Sequence, residues 1–226
     1  MKCPPTAAAL LLLAACAPPA PSAPTPPAPP VAVTIEAPAG AYHLDKNHAS
    51  LIVRANHFGL SHYTLRLTKF DATLTFDPAN PTQASVAAVA DAHSVQTDYP
   101  GARSFDAELE NSEWLDADAH PEVTFRSTAI VLTSPNTGRM SGDLTIRGIT
   151  KPATLDVAFN HAYTQHPMGA PGAFLGFSAH GAFKRSDYGM NVLQPQPGTL
   201  AGVSDEVELI IEAEFTQAPS PASAVN

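Results

Sequence analysis

Residues 141–160 constrain the fold more than any other stretch. Leu144 and Ile146 alternate with Asp143, Thr145 and Arg147. Ala153, Leu155, Val157 and Phe159 then alternate with Thr154, Asp156 and Ala158. A period of two places one apolar and one wetter face on a strand. Between the runs lies Gly148-Ile149-Thr150-Lys151, of four-residue hairpin-loop length, and Gly148 can take backbone angles closed to other residues. Pro152 lacks a backbone donor and is expected at a strand start. The spacing predicts an antiparallel hairpin.

The same style recurs along the chain. Short alternating runs fall at Tyr42–Asp45, Ser50–Asn56 and Ser85–Ala92, and again at Glu122–Ser134, Phe174–Arg185 and Glu206–Phe215. The residues Leu65 to Phe76 read as one long strand or a bent pair. Val86 and Val89 are out of phase, which predicts a bulge between them; a second phase break separates Val123 and Phe125 from Ile130 and Leu132. Strands at this spacing predict an all-β domain, an antiparallel barrel or sandwich of about eight strands. One helix is expected near 104–114, where Phe105 and Leu109 share a face and Ser104 can cap the start. It suits a plug over one barrel end. Gly142, Gly176 and Gly181 either leave side-chain volume for a ligand or mark bulges and tight corners.

The ends read differently. Met1-Lys2 precedes an apolar run from Ala7 to Ala15, too short for a membrane span and of signal-peptide length. It closes on Leu13-Ala14-Ala15-Cys16, which resembles the bacterial lipobox. Residues 1–15 are therefore expected to be a lipoprotein signal, with lipid carried on Cys16. Residues 16–40, rich in Pro and Ala, form the expected tether. The domain is expected over 41–216 and a frayed tail over 217–226. Ala17 after the cysteine favours the outer membrane, facing the periplasm. Cys3 and Cys16 are the chain's two cysteines, so the mature domain has no thiols for a disulfide or a zinc site. A net charge of −9 argues against nucleic acid as a partner.

Catalytic patterns are weak. Gly59-Leu60-Ser61-His62-Tyr63 and Gly176-Phe177-Ser178-Ala179-His180 approach the Gly-x-Ser-x-Gly elbow, but both lack the last glycine. The histidines, His43, His48, His57, His62, His93, His120, His161, His166 and His180, form neither His-x-His nor His-Glu-x-x-His, so no metal is expected from a motif, and a site assembled from distant strands is left open. The carboxylates between Glu108 and Asp118 read as solvated surface.

Taken in order, a set of motifs resembles the YceI-like family. It opens with Tyr42-His43-Leu44-Asp45 with His48 and Ser50, His57-Phe58-Gly59-Leu60-Ser61 and Phe70-Asp71-Ala72. It continues with Trp114-Leu115-Asp116-Ala117, His120 to Thr128 and Gly142 to Pro152, then Gly176 to Ala179, Arg185 to Met190 and Val207 to Ile211. The resemblance implies a lipocalin-like periplasmic barrel that binds polyisoprenoids, including quinone-like ones, without a catalytic residue. It implies that the ligand meets His57, Phe58, Phe70, Leu74, Phe76, Leu144, Ile146, Leu155, Val157, Phe177, Phe183, Arg185 and Met190. Where some members carry Arg-Asp-x-His-Leu, this chain has Phe105-Asp106-Ala107-Glu108-Leu109, which leaves Arg103, Arg185 and His57 as head-group candidates. The expected cofactor list is empty apart from a bound polyisoprenoid or isoprenoid quinone. The expected partners are an apolar lipid and, through the anchor, the membrane; a homodimer is left open. Two other readings stand beside this one: a structural or stress-related lipoprotein with a filled barrel, and an enzyme using His57 with Asp45.

Overall fold

The structure, a computed structural model, describes residues 35–217. The expected signal, Cys16, nearly all of the tether and the tail after Gln217 lie outside the described residues. Eleven strand segments make one antiparallel sheet: β1 (Gly40–Leu44), β2 (Ser50–His57), β3 (Ser61–Leu67), β4 (Phe70–Phe76), β5 (Ser85–Asp91), β6 (Val95–Gln96), β7 (Glu122–Ser134), β8 (Thr137–Ile146), β9 (Ile149–Tyr163), β10 (Ala173–Lys184) and β11 (Val203–Gln217).

The segments reduce to eight strand lines. β1 and β2 both pair with β11, through Leu44↔Phe215 and then Ser50↔Glu212 to His57↔Val203, so they form one interrupted line. β3 pairs with β2 while β4 pairs with β1, and β6 pairs with β3 while β5 pairs with β4. The run from Leu65 to Phe76 is thus a bent pair, broken at Thr68-Lys69. From there β7, β8, β9, β10 and β11 follow as a meander, and β1–β11 pairing closes the ring. Each line pairs with its neighbours in sequence, the up-and-down arrangement that leaves no open edge along the ring.

Local chemistry explains most boundaries. The β8–β9 connection is two residues, Arg147-Gly148, rather than four, because Ile146 pairs directly with Ile149. Both turn residues have positive φ, 52° and 70°, the conformation whose twist matches an antiparallel hairpin. Pro152 lies four residues into β9 rather than at its start. It is tolerated because β10 pairs with β9 only from Leu155 onward, so no β10 acceptor awaits its missing donor. The phase break in β7 is a bulge between Ser127 and Ala129, which keeps Phe125 and Ile130 on one face. The bulge expected in β5 is absent: its register is unbroken against both β4 and β7. Val86, Ala88 and Ala90 line the interior and Val89 is 37% exposed, so the apparent slip came from small inward residues.

The helix α1 spans Phe105–Glu110, shorter than expected, and Ser104 makes no side-chain cap. Instead the Asp106 carboxylate accepts a 2.9 Å hydrogen bond from the Thr97 amide, which fastens α1 to the chain leaving β6. Leu109 is buried with Leu67, Ala90 and Val95, and Trp114 and Leu115 pack beside them. That cluster closes one end of the barrel. Near the other end Tyr42, Leu74, Phe76, Leu175 and Phe215 form a second cluster, where Phe177 meets Phe76, Phe159 and Phe215 edge-on at 5.6–6.3 Å.

Candidate ligand cavity

The inward faces enclose a cavity of about 380 Å³. Each strand line contributes to its wall, from Leu44 and Val53 through Phe70 and Val86 to Leu155, Phe177 and Leu209. Period-two alternation is what delivers them, since every second residue of a strand turns inward. Arg185 is the one ionisable side chain among the described residues that line the space; no carboxylate, histidine, cysteine, lysine or serine joins it.

Arg185 is 2% exposed. Its Nε donates to the Ser204 carbonyl at 2.9 Å, Nη1 to the Met190 carbonyl at 2.8 Å and Nη2 to the Val203 carbonyl at 2.8 Å. Its guanidinium also lies 5.4 Å from the centre of the Trp114 ring. Burial lowers its pKa from the ordinary arginine value, and the nearby charge of Asp205 opposes that shift. The side chain therefore ties the turn after β10 to the start of β11, with three of its five donors already committed. The turn ends at Gly189, whose φ of 79° is readily adopted by glycine.

Eleven of the thirteen sequence-derived residues meet at this cavity: Phe70, Leu74, Phe76, Leu144, Ile146, Leu155, Val157, Phe177, Phe183, Arg185 and Met190. His57 and Phe58 do not. They sit at the β2–β3 turn, where His57 is exposed, Phe58 is 41% exposed, and their rings meet edge-on at 4.8 Å. The resemblance implies an inward site for both, but the chain turns outward at Phe58, whose φ is 55°. Arg103 is committed elsewhere, paired with Glu108 at 2.9 Å and stacked on Phe105.

The glycines are not the source of the space. A Cβ on Gly142 would sit 2.4 Å from the Phe125 ring, and one on Gly181 would sit 2.5 Å from Leu155. Both positions are filled by neighbours. Gly176 lies at a register break beside β9, next to Asn160 and His161. The room comes instead from inward alanines, among them Ala72, Ala88, Ala90, Ala153, Ala179 and Ala213. Their phase with Leu74, Phe76 and Val86 was visible in the sequence; their significance was not, because alanine is also common on outer faces. Trp114, also at the wall, ends the segment expected to plug one barrel end.

The residues considered for catalysis stay apart. Asp45 donates its amide to the Glu214 carbonyl, whereas His57 pairs with Val203. The two are separated by roughly 36 Å of β11 at about 3.3 Å per residue. Ser178 contacts Glu212 and Asn160 and no histidine.

A closed eight-stranded antiparallel barrel with an apolar cavity defines the class of protein. Residues 42–215 match the family model described as the YceI-like domain, and the chain belongs to that family. It is 33% identical over 186 residues to protein YceI of Salmonella arizonae, covering 81% of this chain and 91% of that one. A UPF0312 protein of Vibrio cholerae is 29% identical over 189 residues, 83% and 93% of the two chains. Among solved structures, Burkholderia cenocepacia BcnA superposes with a TM-score of 0.62 at 24% identity, covering 76% of this chain and 98% of that one. A polyisoprenoid binding domain from Saccharophagus degradans, implicated in plant cell wall breakdown, superposes at 0.55 with 12% identity, covering 80% of this chain and all of the other.

Proposed function

We propose that this protein is a non-catalytic binding protein that holds a polyisoprenoid, or a similar long apolar chain such as that of an isoprenoid quinone, inside its barrel. The observation that carries this reading is the cavity of about 380 Å³ with, among the described residues, a single ionisable lining residue. Its volume falls in the range of about 300–1,000 Å³ typical of small-molecule sites. Each buried methylene contributes about 0.8 kcal/mol, so several isoprene units offset the cost of association. Among the described residues the lining supplies no histidine, carboxylate, cysteine, lysine or serine to act as a base or activated nucleophile, which favours holding over chemistry. The Saccharophagus domain, named for polyisoprenoid binding, shares the fold and lends the ligand class. The protein purified from bacterial envelopes is expected to carry a polyprenyl-sized mass in native mass spectrometry. An empty protein that also takes up no fluorescent isoprenoid analogue would overturn the reading.

The same reading places the barrel on the periplasmic side of a bacterial envelope, tethered by lipid on Cys16, with the outer membrane as its site. Leu13-Ala14-Ala15-Cys16 directly after an apolar run supports it. Cys16→Ser is expected to abolish labelling by radioactive palmitate; equal label in variant and parent would count against the anchor.

A further inference from the structure

On the outer face, away from the cavity, the turn joining β1 to β2 brings three ligand-type side chains together with the end of β11. Asp45 Oδ2 and His48 Nδ1 are 2.8 Å apart. With Glu214 their ligand atoms all lie within 4.8 Å of one another. The backbone holds this arrangement. The Asp45 amide donates to the Glu214 carbonyl at 2.8 Å and the His48 amide donates to the Asp45 carbonyl at 3.1 Å. The other Asp45 oxygen accepts from the Asn47 amide at 3.0 Å, which orients the carboxylate.

Charge points the same way. Lys46 lies between the two turn ligands in sequence, yet its ammonium is drawn to Asp71 at 2.6 Å. Among the described residues no lysine or arginine pairs with Asp45 or Glu214, so two carboxylates share one imidazole. Two of the three, His48 and Glu214, line a depression of about 250 Å³ together with His161, His166 and Glu212. His93 offers the contrast: its Nδ1 faces Glu110 and its Nε2 faces Asp118, so its neighbours lie at opposite ring atoms and do not converge.

We propose that Asp45, His48 and Glu214 form a binding site for a divalent transition ion of the zinc class. Two carboxylate oxygens and one imidazole nitrogen at about 2.0–2.2 Å are within zinc's ligand chemistry. The remaining positions are open to water or to a group from the depression. Glu214 is exposed, so its side chain can swing to close the set. Motif reading overlooked this site because Asp45 and His48 are three apart in a turn, whereas Glu214 comes from the far end of the domain.

The site is independent of the barrel ligand and is tested without it. The probe is zinc chloride, titrated calorimetrically into chelator-treated full chain with Cys3 and Cys16 alkylated, so that thiolates do not compete. In parallel, nitrogen-detected imidazole spectra follow each histidine. One equivalent is expected to bind, with the His48 Nδ1 signal shifting and that of His93 unmoved. Asp45→Asn, His48→Gln and Glu214→Gln are each expected to weaken binding by about tenfold or more. The wild-type His48 signal reads the site even where a variant folds poorly. Absence of binding at about 100 μM zinc, unchanged affinity in any one of the three variants, or a shift confined to other histidines would overturn the proposal.

Discussion

At the scale of single residues, the most consequential is Arg185, among the described residues the one charged group in the wall of an apolar space. Removing it leaves three backbone carbonyls, of Met190, Val203 and Ser204, without their donor. Each orphaned buried acceptor costs about 1–3 kcal/mol. Arg185→Ala is therefore expected to destabilise the fold by at least about 3 kcal/mol in urea unfolding. Arg185→Lys should recover only part of this, since an ammonium lacks the planar fork. A loss below about 1 kcal/mol in the alanine variant would refute the clamp. His93 gives a prediction in pH. Its hydrogen bond with Glu110 raises its pKa, the charges of Glu110, Asp118 and Asp91 add to the rise, and partial desolvation opposes it. A raised folded pKa means the pairing stabilises fully below the unfolded histidine value of about 6.5, and that this support is lost as pH rises through the folded pKa. An NMR titration should place His93 above an unperturbed imidazole, and Glu110→Gln should bring it down.

At the scale of elements, the two-residue Arg147-Gly148 turn sets register for the β8–β9 hairpin. A one-residue slip would send Leu144, Ile146, Leu155 and Val157 to the outer face. Gly148 has φ 70°, and a Cβ there would also meet the His120 ring at 3.0 Å. Gly148→Ala is expected to lower stability by about 1–2 kcal/mol, chiefly through backbone strain in the left-handed region. Gly148→Asn should cost less, since asparagine tolerates that region. Equal thermal midpoints for parent and alanine variant would contradict this. The hairpin itself was legible from alternation, but its loop length was not. Ile149 and Lys151 look like loop residues only until Ile149 pairs with Ile146 and Lys151 with Leu144. The β7 bulge was legible because bulky residues changed phase on both sides of it. The β5 bulge was a false signal because alanines hid the true phase.

At the scale of the whole molecule, the cavity depends on small residues at inward positions. Ala179 is 8% exposed and packs with Met140 and Leu155. If the barrel carries an apolar chain, Ala179→Phe should leave far-ultraviolet circular dichroism unchanged and sharply reduce uptake of a fluorescent isoprenoid analogue. Ala213→Leu, on the neighbouring strand β11, is a milder filler and should give a smaller loss. A barrel already filled by its own side chains would instead lose about 1–3 kcal/mol in both variants through overpacking.

The sequence by itself determined the fold class and which face of most strands is apolar, because alternation is a local property that every strand carries in its own residues. Nine of the thirteen residues expected at the ligand site lie at the cavity for that reason, whereas Arg185 and Met190 reach it from the turn after β10. Tertiary structure alone decided the rest. Where the barrel closes depends on β11 pairing with both β1 and β2 across nearly the whole chain. Whether Gly181 is open or filled depends on Leu155, a residue on another strand. His57 belongs to the residues the resemblance implies for the ligand, yet the turn at Phe58 carries it away from the interior. The meeting of Asp45 and His48 with Glu214 likewise exists only once the first and last strands are side by side.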